Sequence, residues 1–413
     1  MGFSRKNLAV FLVALMVACS TIFGQQSNKS KSKDRYREKE QPSRATVEQQ
    51  LEQWVPLRQL AEEELPRVLQ VLSEISAKRF KTPSVACWYQ TCALLAAYET
   101  MARYSTRTSS LRGVIEGMPS ILSFVSADSV FYPFTALWAM LETGKVFREA
   151  EGWLSENQAR LESVFLERGL PNYYLSTSKK AAQDIAYALI RFAQVNQNQR
   201  LLVLQSSDPL GWANPTPEDL REGSRYRVFV REIFERGGTN ISEEHRRQVA
   251  AWWRTEPMSA RWLTIAATVC AQQRLPFATM LRILTATSIA MADAYTWCVN
   301  ESRQYVRSAP RVAVNQLFDP NWQPINLTVP DELCSRECGL IPAAAASVLS
   351  QMVGERIAFL VDERSYASFR EAAREAGMAH FYAGRHLRDI VEAGLVSGEQ
   401  IGILVVQRWP KEP

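Results

Sequence analysis

Apolar side chains recur at intervals of three and four residues through almost the whole chain after Ala45. Two runs that show this spacing are Trp54, Leu57, Leu60 and Ile185, Leu189, Phe192. Such spacing is typical of amphipathic α-helices. Turns rich in Gly and Pro divide the chain into about a dozen helical segments, and only residues 357–361 have the pattern of a strand. The sequence therefore predicts an all-α fold, built as one large helical bundle.

The first 19 residues are typical of an export signal. Arg5 and Lys6 precede an apolar run from Leu8 to Ala18, which is too short to cross a bilayer as a helix. Small residues then precede Cys19, the pattern on which bacterial lipoprotein processing acts. We expect an exported protein of a bacterial cell envelope. It is either anchored to a membrane by a lipid on Cys19 or cleaved and released into the periplasm.

Four further segments follow the signal. Residues 20–44 are polar and charged, and we interpret them as a disordered tether. Residues 45–205 form an N-terminal helical half, residues 206–241 a connecting segment rich in Pro and Gly, and residues 242–413 a C-terminal helical half.

The charge distribution and the cysteine content indicate which partners and which disulfides to expect. The 48 basic and 43 acidic residues are interspersed, so the net charge of +5 does not indicate a nucleic-acid partner. Seven cysteines leave six after removal or lipidation of Cys19, enough for up to three disulfides in an oxidising compartment. Buried free thiols are the equal alternative for Cys87, Cys270 and Cys298.

Several short pieces of the chain, in this order, resemble one known superfamily. They are Glu244–Trp253, Ala290–Cys298, Phe318–Pro324, Ala343–Leu349 and Phe369–Gly402, with a weaker similarity at Thr82–Met101. Together they resemble the vanadium-dependent haloperoxidases and type 2 phosphatidic acid phosphatases, in particular the soluble bacterial haloperoxidase-like branch. The resemblance implies a helical bundle of the haloperoxidase and acid phosphatase type.

The resemblance also implies a site for a tetrahedral oxyanion. In that superfamily a Lys and two Arg neutralise vanadate or phosphate, and a Ser hydroxyl and a Gly N–H donate hydrogen bonds to it. One His bonds vanadium or attacks phosphorus, and a second His transfers protons.

Most of these positions carry other residues in this chain. A gap-free match puts Ser302 at the lysine, Ala309 at the first arginine, Arg336 at the serine, Glu337 at the glycine, Cys338 at the acid–base histidine and His380 at the second arginine. The histidine that binds vanadium is retained as His386. Because a carboxylate at Glu337 would repel an oxyanion, we expect no cofactor and no vanadate binding. The main hypothesis is a pseudoenzyme that serves as a scaffold or binding module for an unidentified cell-envelope protein.

A remodelled anion site is the first alternative. Here His386 would accept a phosphoryl group, and nearby arginines would bind a small anion. Arg303, Arg307 and Arg311 are spaced four residues apart and would share one helix face if the helix continues through Pro310. The other candidates, Arg336, Arg385 and Arg388, belong to the other two motifs. Solvation or ion pairing of these arginines is the competing interpretation.

A second alternative concerns Cys334 and Cys338. With His380 and His386 they could bind zinc, because a Cys-x3-Cys spacing covers one helical turn. A disulfide between the two cysteines is equally compatible with the spacing, and we assign no metal from the sequence.

Overall fold

The computed structural model of the protein describes residues 54–80, 82–121, 123–146, 151–195, 216–241, 244–253, 257–301, 308–325 and 337–411. These residues form thirteen α-helices: α1 Val55–Arg79, α2 Pro83–Tyr104, α3 Tyr132–Gly144, α4 Glu151–Glu167, α5 Asn172–Val195, α6 Arg225–Arg236, α7 Glu244–Trp252, α8 Met258–Gln272, α9 Phe277–Glu301, α10 Pro310–Leu317, α11 Glu337–Met352, α12 Phe369–Tyr382 and α13 Arg388–Arg408. The prediction of an all-α fold is confirmed.

The strand-like pattern near residue 360 corresponds to a short hairpin. Strand β1, Phe359–Val361, pairs antiparallel with β2, Arg364–Tyr366. Asp362 begins the turn between them with a positive φ of 50°, a conformation that Asp tolerates better than most residues.

Among the described residues, no helix has both the length and the apolar character needed to cross a membrane. The predicted export signal, the tether and Cys19 lie outside the described residues.

Helices α2 and α9 run through the centre of the bundle. Almost every side chain of α2 from Ala86 to Met101 is buried, as expected for a helix that is apolar on all faces. The Thr91 hydroxyl of α2 lies 3.2 Å from the Ser288 carbonyl oxygen of α9, and this contact links the two helices.

One apolar core includes side chains from both predicted halves of the chain. Leu72 and Leu189 belong to the same buried cluster as Leu284 and Leu349. Residues 42–413 likewise form one compact unit.

Helices α11 and α13 approach closely because small residues face each other. A Cβ atom on Gly398 would lie 2.2 Å from the Leu340 carbonyl oxygen, and one on Gly402 would lie 2.5 Å from the Ser347 Cβ. Only glycine permits backbones this close, so these positions fix the distance between the two helices.

A second, smaller apolar cluster lies beside the first turns of α11 and α13. It joins Tyr226, Phe229 and Ile233 of α6 to Trp322 and to Val391 of α13. This cluster supports the region where the haloperoxidase-like motifs converge.

Candidate functional site

Two histidines lie side by side where α12 leads into α13. His380 is in the last turn of α12, and His386 is in the short connection that follows. Their ring centroids are 5.8 Å apart. His380 is 7% exposed and His386 is half-buried, so both imidazoles are largely shielded from solvent.

A tight turn brings the second histidine back towards the first. The backbone N–H groups of Arg385 and His386 both donate to the His380 carbonyl oxygen, at 3.0 and 3.4 Å. Gly384 provides the necessary left-handed conformation, with φ of +79°. A Cβ atom on Gly384 would lie only 2.9 Å from the Gly238 Cα, so glycine is also required by the close approach of that loop.

The segment around Trp322 supports this turn from outside. Trp322 is 1% exposed, and its indole N–H donates to the Gly237 carbonyl oxygen at 3.2 Å. The Ile325 N–H donates to the Ala383 carbonyl oxygen at 2.9 Å. The Phe318–Pro324 piece of the sequence thus has a structural role, in that it holds the turn that carries His386.

The first turn of α11 holds Glu337 and Cys338. Glu337 is the first residue of the helix and is 6% exposed, and Cys338 is 1% exposed. Cys338 belongs to the apolar cluster that contains Phe381 and Val391. Cys338, which the motif match of the sequence puts at the acid–base position, is therefore packed in an apolar environment.

Gly339 places this turn directly against α13. A Cβ atom at Gly339 would lie 2.3 Å from the Val391 carbonyl oxygen and 2.8 Å from the Leu395 backbone nitrogen. Both contacts are with backbone atoms, which cannot move aside as a flexible side chain can.

Two buried carboxylates approach the same interior region. Asp293 of α9 is 0% exposed, and its charge and that of Glu337 both act on the Cys87 thiol of α2. Burial raises the pKa of Cys87 to about 12; hydrogen bonds with Thr91 and Ser259 lower this pKa, whereas the two carboxylates raise it further. The carboxylates thus lie close enough to interact with one buried group.

The remaining predicted positions differ in their surroundings. Ala309 precedes α10, is exposed and carries no charge. Arg385 is half-buried beside His386. The Arg388 Nε lies 3.0 Å from a Glu232 carboxylate oxygen of α6, and its guanidinium lies over the Phe229 ring.

Other predicted residues lie outside the described residues. They are Ser302, Arg303, Arg307, Arg336 and Cys334. Arg311 is described, but Pro310 begins a new helix, and the Arg311 guanidinium donates to the Gln323 side-chain oxygen at 3.1 Å.

Two cysteine predictions are corrected. Cys338 is a reduced thiol, so the disulfide between Cys334 and Cys338, one of the alternatives that the sequence left open, is excluded, and the Cys338 side chain packs in the apolar cluster. Cys298, for which a free thiol was one of two expectations, is disulfide-bonded. The thiols of Cys87 and Cys270 are reduced and buried, in line with that expectation for them.

Among the described residues, no group of three or more His, Cys, Asp or Glu side chains is arranged to hold a metal ion. The predicted zinc site needs Cys334, which is not described, and it stays untested.

Sequence reasoning did not predict the interaction between the Asp293 carboxylate and the Cys87 thiol. Asp293 lies in the Ala290–Cys298 piece, where the sequence assigned it no individual role, and for Cys87 the sequence predicted only a disulfide or a buried thiol. An Asp within an apolar helical segment was a usable signal, because a buried carboxylate needs polar partners.

No family model and no curated protein matches the chain. Solved structures do match it. A bacterial vanadium-dependent iodoperoxidase superposes with a TM-score of 0.74 and 23% identity, over 84% of this chain and 96% of that one. The chain has the fold of the vanadium-dependent haloperoxidases.

Bacterial vanadium-dependent chloroperoxidases share this haloperoxidase fold at lower similarity. The apo form gives a TM-score of 0.53 at 11% identity, over 79% of this chain and 92% of that one. The holo form gives a TM-score of 0.52 at 11% identity, over 81% of this chain and 95% of that one. The fold implied by the resemblance is thus confirmed.

Proposed function

We propose that this haloperoxidase-fold protein has lost oxyanion binding and acts as an exported binding or scaffold module of the cell envelope. The observation that carries the proposal is the buried Glu337 carboxylate in the first turn of α11. In the haloperoxidase motif that position is a glycine whose N–H faces the oxyanion.

The location of Glu337 gives the carboxylate a favourable environment. The first turn of a helix carries partial positive charge from its unpaired N–H groups, which stabilises a negative group there. Glu337 thus supplies an anion from the chain itself where the superfamily binds vanadate or phosphate. Two unit charges of the same sign 4 Å apart repel by about 4 kcal/mol at a protein surface. A second anion at this place is therefore disfavoured.

The replacement of positively charged residues also weakens oxyanion binding. Ser302, Ala309 and His380 replace one lysine and two arginines of the motif. If each charge-assisted hydrogen bond contributes about 1.5 to 3 kcal/mol, their combined loss weakens oxyanion binding by about 5 kcal/mol or more. That corresponds to a dissociation constant raised more than about a thousandfold.

Vanadate binding provides the direct test. The purified protein is dialysed against micromolar orthovanadate, and retained vanadium is measured by elemental analysis. We expect no stoichiometric vanadium in the wild type. Stoichiometric vanadium that is lost in His386→Ala would overturn the proposal.

A variant in which the motif residues are restored tests the converse expectation, that vanadate binding returns. It carries six substitutions to the residues of the motif: Ser302→Lys, Ala309→Arg, Arg336→Ser, Glu337→Gly, Cys338→His and His380→Arg. Since the haloperoxidase fold and His386 are retained, we expect this variant to bind vanadate. The matched control adds His386→Ala and should again bind none.

A remodelled phosphatase is the second candidate. It is favoured by the proximity of the two imidazoles, since His380 could assist a phosphoryl group on His386. The same preparations distinguish it, because wild-type hydrolysis of para-nitrophenyl phosphate that vanishes in His386→Ala would favour this candidate over the scaffold.

A further inference from the structure

A cavity of about 210 Å³ lies between α2, α3 and α5, in the N-terminal part of the bundle. None of its lining residues belongs to the positions of the haloperoxidase site. All are uncharged, and they include Trp88 and Tyr89 of α2 and Ile190 of α5. An uncharged lining excludes an ion and favours a neutral ligand.

Among the described residues, the cavity has an open side and a closed side. Gln194 is exposed and Val146 is half-buried, so the described parts of α3 and α5 leave this side open. Trp88, Cys92 and Thr143 form the interior wall and are each at most 8% exposed. The Trp88 indole N–H donates to the Ala193 carbonyl oxygen at 3.2 Å, which holds the two sides together.

Thr143 is the distinctive residue of this wall. It is 2% exposed, lines the cavity, and its hydroxyl makes no hydrogen bond with any described residue. A buried hydroxyl without a partner lowers stability, because its lost hydrogen bond to water is not replaced. A structure tolerates that cost most readily where a ligand or a solvent molecule supplies the missing bond.

The other buried threonines show that a hydroxyl without a hydrogen-bond partner is not a general property of helical threonine in this fold. Among the described residues, six others are buried, and each donates to the carbonyl oxygen four residues earlier: Thr91, Thr100, Thr135, Thr285, Thr287 and Thr296. That bond is the ordinary solution for a threonine inside a helix. Thr143 alone among these seven departs from it.

The neighbouring polar groups are not hydrogen-bond partners of the Thr143 hydroxyl in this structure. The Tyr89 hydroxyl donates to the Gly144 carbonyl oxygen at 3.1 Å. Burial raises the pKa of the Cys92 thiol far above its ordinary value, so the thiol stays neutral and behaves as a small apolar group.

We propose that this cavity binds a small neutral alcohol with a compact apolar body, such as a phenol, whose hydroxyl bonds to Thr143. The size fits, because a cavity of about 150 Å³ lined by apolar side chains holds benzene. The Trp88 and Tyr89 rings provide apolar contact for the body, and the Thr143 hydroxyl can both donate and accept. The proposal does not depend on the proposed function of the His386 region.

Calorimetry or ligand-observed NMR on the full chain tests this, with para-cresol and toluene as probes. The two molecules have nearly the same shape, but only para-cresol carries a hydroxyl. We expect saturable binding of para-cresol, weaker binding of toluene and no binding of benzoate, because burial of its charge in an uncharged cavity is costly. Absence of saturable para-cresol binding would overturn the proposal.

Thr143→Val removes the hydroxyl and keeps the shape. We expect para-cresol to bind about five- to tenfold more weakly to this variant, the effect of one neutral hydrogen bond, and toluene to bind as before. Equal affinity of the variant and the wild type for para-cresol would contradict the role of Thr143.

Thr135→Val is the matched control, because Thr135 is also buried on α3 but bonds to the Phe131 carbonyl oxygen. It should leave binding of both probes unchanged. In the ligand-free chain, Thr143→Val should raise Tm, since it removes an unpaired buried hydroxyl, whereas Thr135→Val should not. A fall in Tm for Thr143→Val would show that the hydroxyl already has a partner, against the proposal.

Discussion

Two sides of the candidate site are both held by close backbone packing but differ in their side chains. The turn from His380 to Leu387 keeps its retained histidine, and backbone bonds, Gly384 and Trp322 hold its shape. The first turn of α11 keeps an equally close backbone packing through Gly339, but its side chains Glu337 and Cys338 have a different chemistry. Backbone packing and site chemistry are therefore separable, because the glycines that set the geometry are not the residues that would contact an oxyanion.

The largest expected effect is on the α11 side. Gly339→Ala would place a Cβ atom 2.3 Å from the Val391 carbonyl oxygen, so α11 and α13 must separate. We expect the free energy of unfolding to fall by about 3 kcal/mol. Urea denaturation followed by circular dichroism measures it.

The matched control for Gly339→Ala is Gly152→Ala. Gly152 is also helical, but a Cβ atom there would have no neighbour within 4 Å. This change should be neutral or raise stability by about 0.5 kcal/mol. Equal effects at both positions would show that the close packing of α11 on α13 is wrong.

A smaller effect is expected on the histidine side. Gly384→Ala forces a side chain into a φ of +79° and brings its Cβ to 2.9 Å from the Gly238 Cα and from the Trp322 ring. We expect a loss of about 2 kcal/mol from strain and crowding together. The same denaturation experiment measures this loss.

Gly113→Ala separates backbone strain from crowding as causes of the lost stability. Gly113 has a φ of +87° but no neighbour within 4 Å of an added Cβ atom, so only the strain of about 1 kcal/mol should remain. If Gly384→Ala costs no more than Gly113→Ala, the turn is not held by the Gly238 loop, and the proposed rigidity of this side fails.

The smallest effect is the absence of a reaction at Cys338. Its thiol is 1% exposed, and Cys87, Cys92 and Cys270 are buried as well. Because reagents reach only exposed thiolates, we expect none of these four to react with Ellman's reagent in the folded protein. Rapid native labelling of Cys338, located by mass spectrometry, would show that the α11 side is open to solvent.

The same reagent counts the disulfide after denaturation. The disulfide of Cys298 holds two sulfur atoms that the reagent detects only after reduction. Reduction of the denatured chain should therefore raise the thiol count by two, up to the seven cysteines of the full chain. A count of seven before reduction would contradict the disulfide.

Much of the fold followed from local patterns. The spacing of Leu57 and Leu60 predicted the helix Val55–Arg79, and the pattern near residue 360 predicted the short hairpin strand. These predictions succeed because side-chain periodicity reflects which face of one segment is buried, a property of neighbouring residues.

Motif order carried information beyond local patterns. The pieces from Glu244 to Gly402 predicted the haloperoxidase fold, which the superposition on the iodoperoxidase confirms. The same pieces identified His386 and His380, which the structure places next to each other.

Neither local patterns nor motif order predicted which groups surround the candidate site. Nothing local links Cys87 to Asp293 and Glu337, which lie on three different helices far apart in the chain, yet both carboxylates raise the pKa of the Cys87 thiol in the folded protein. The reduced state of Cys338 and the disulfide of Cys298 could not be derived from a Cys-x3-Cys spacing, since pairing depends on which side chains meet in space.

Residue order alone was sufficient to predict the helices and the helical bundle, because each of these is encoded in residues close together or in a short string. Tertiary packing decided which groups are buried together, which thiols are reduced and which threonine hydroxyl lines a cavity. Those outcomes depend on contacts between distant segments, where a few tenths of an ångström at a glycine or one missing hydrogen bond changes the chemistry.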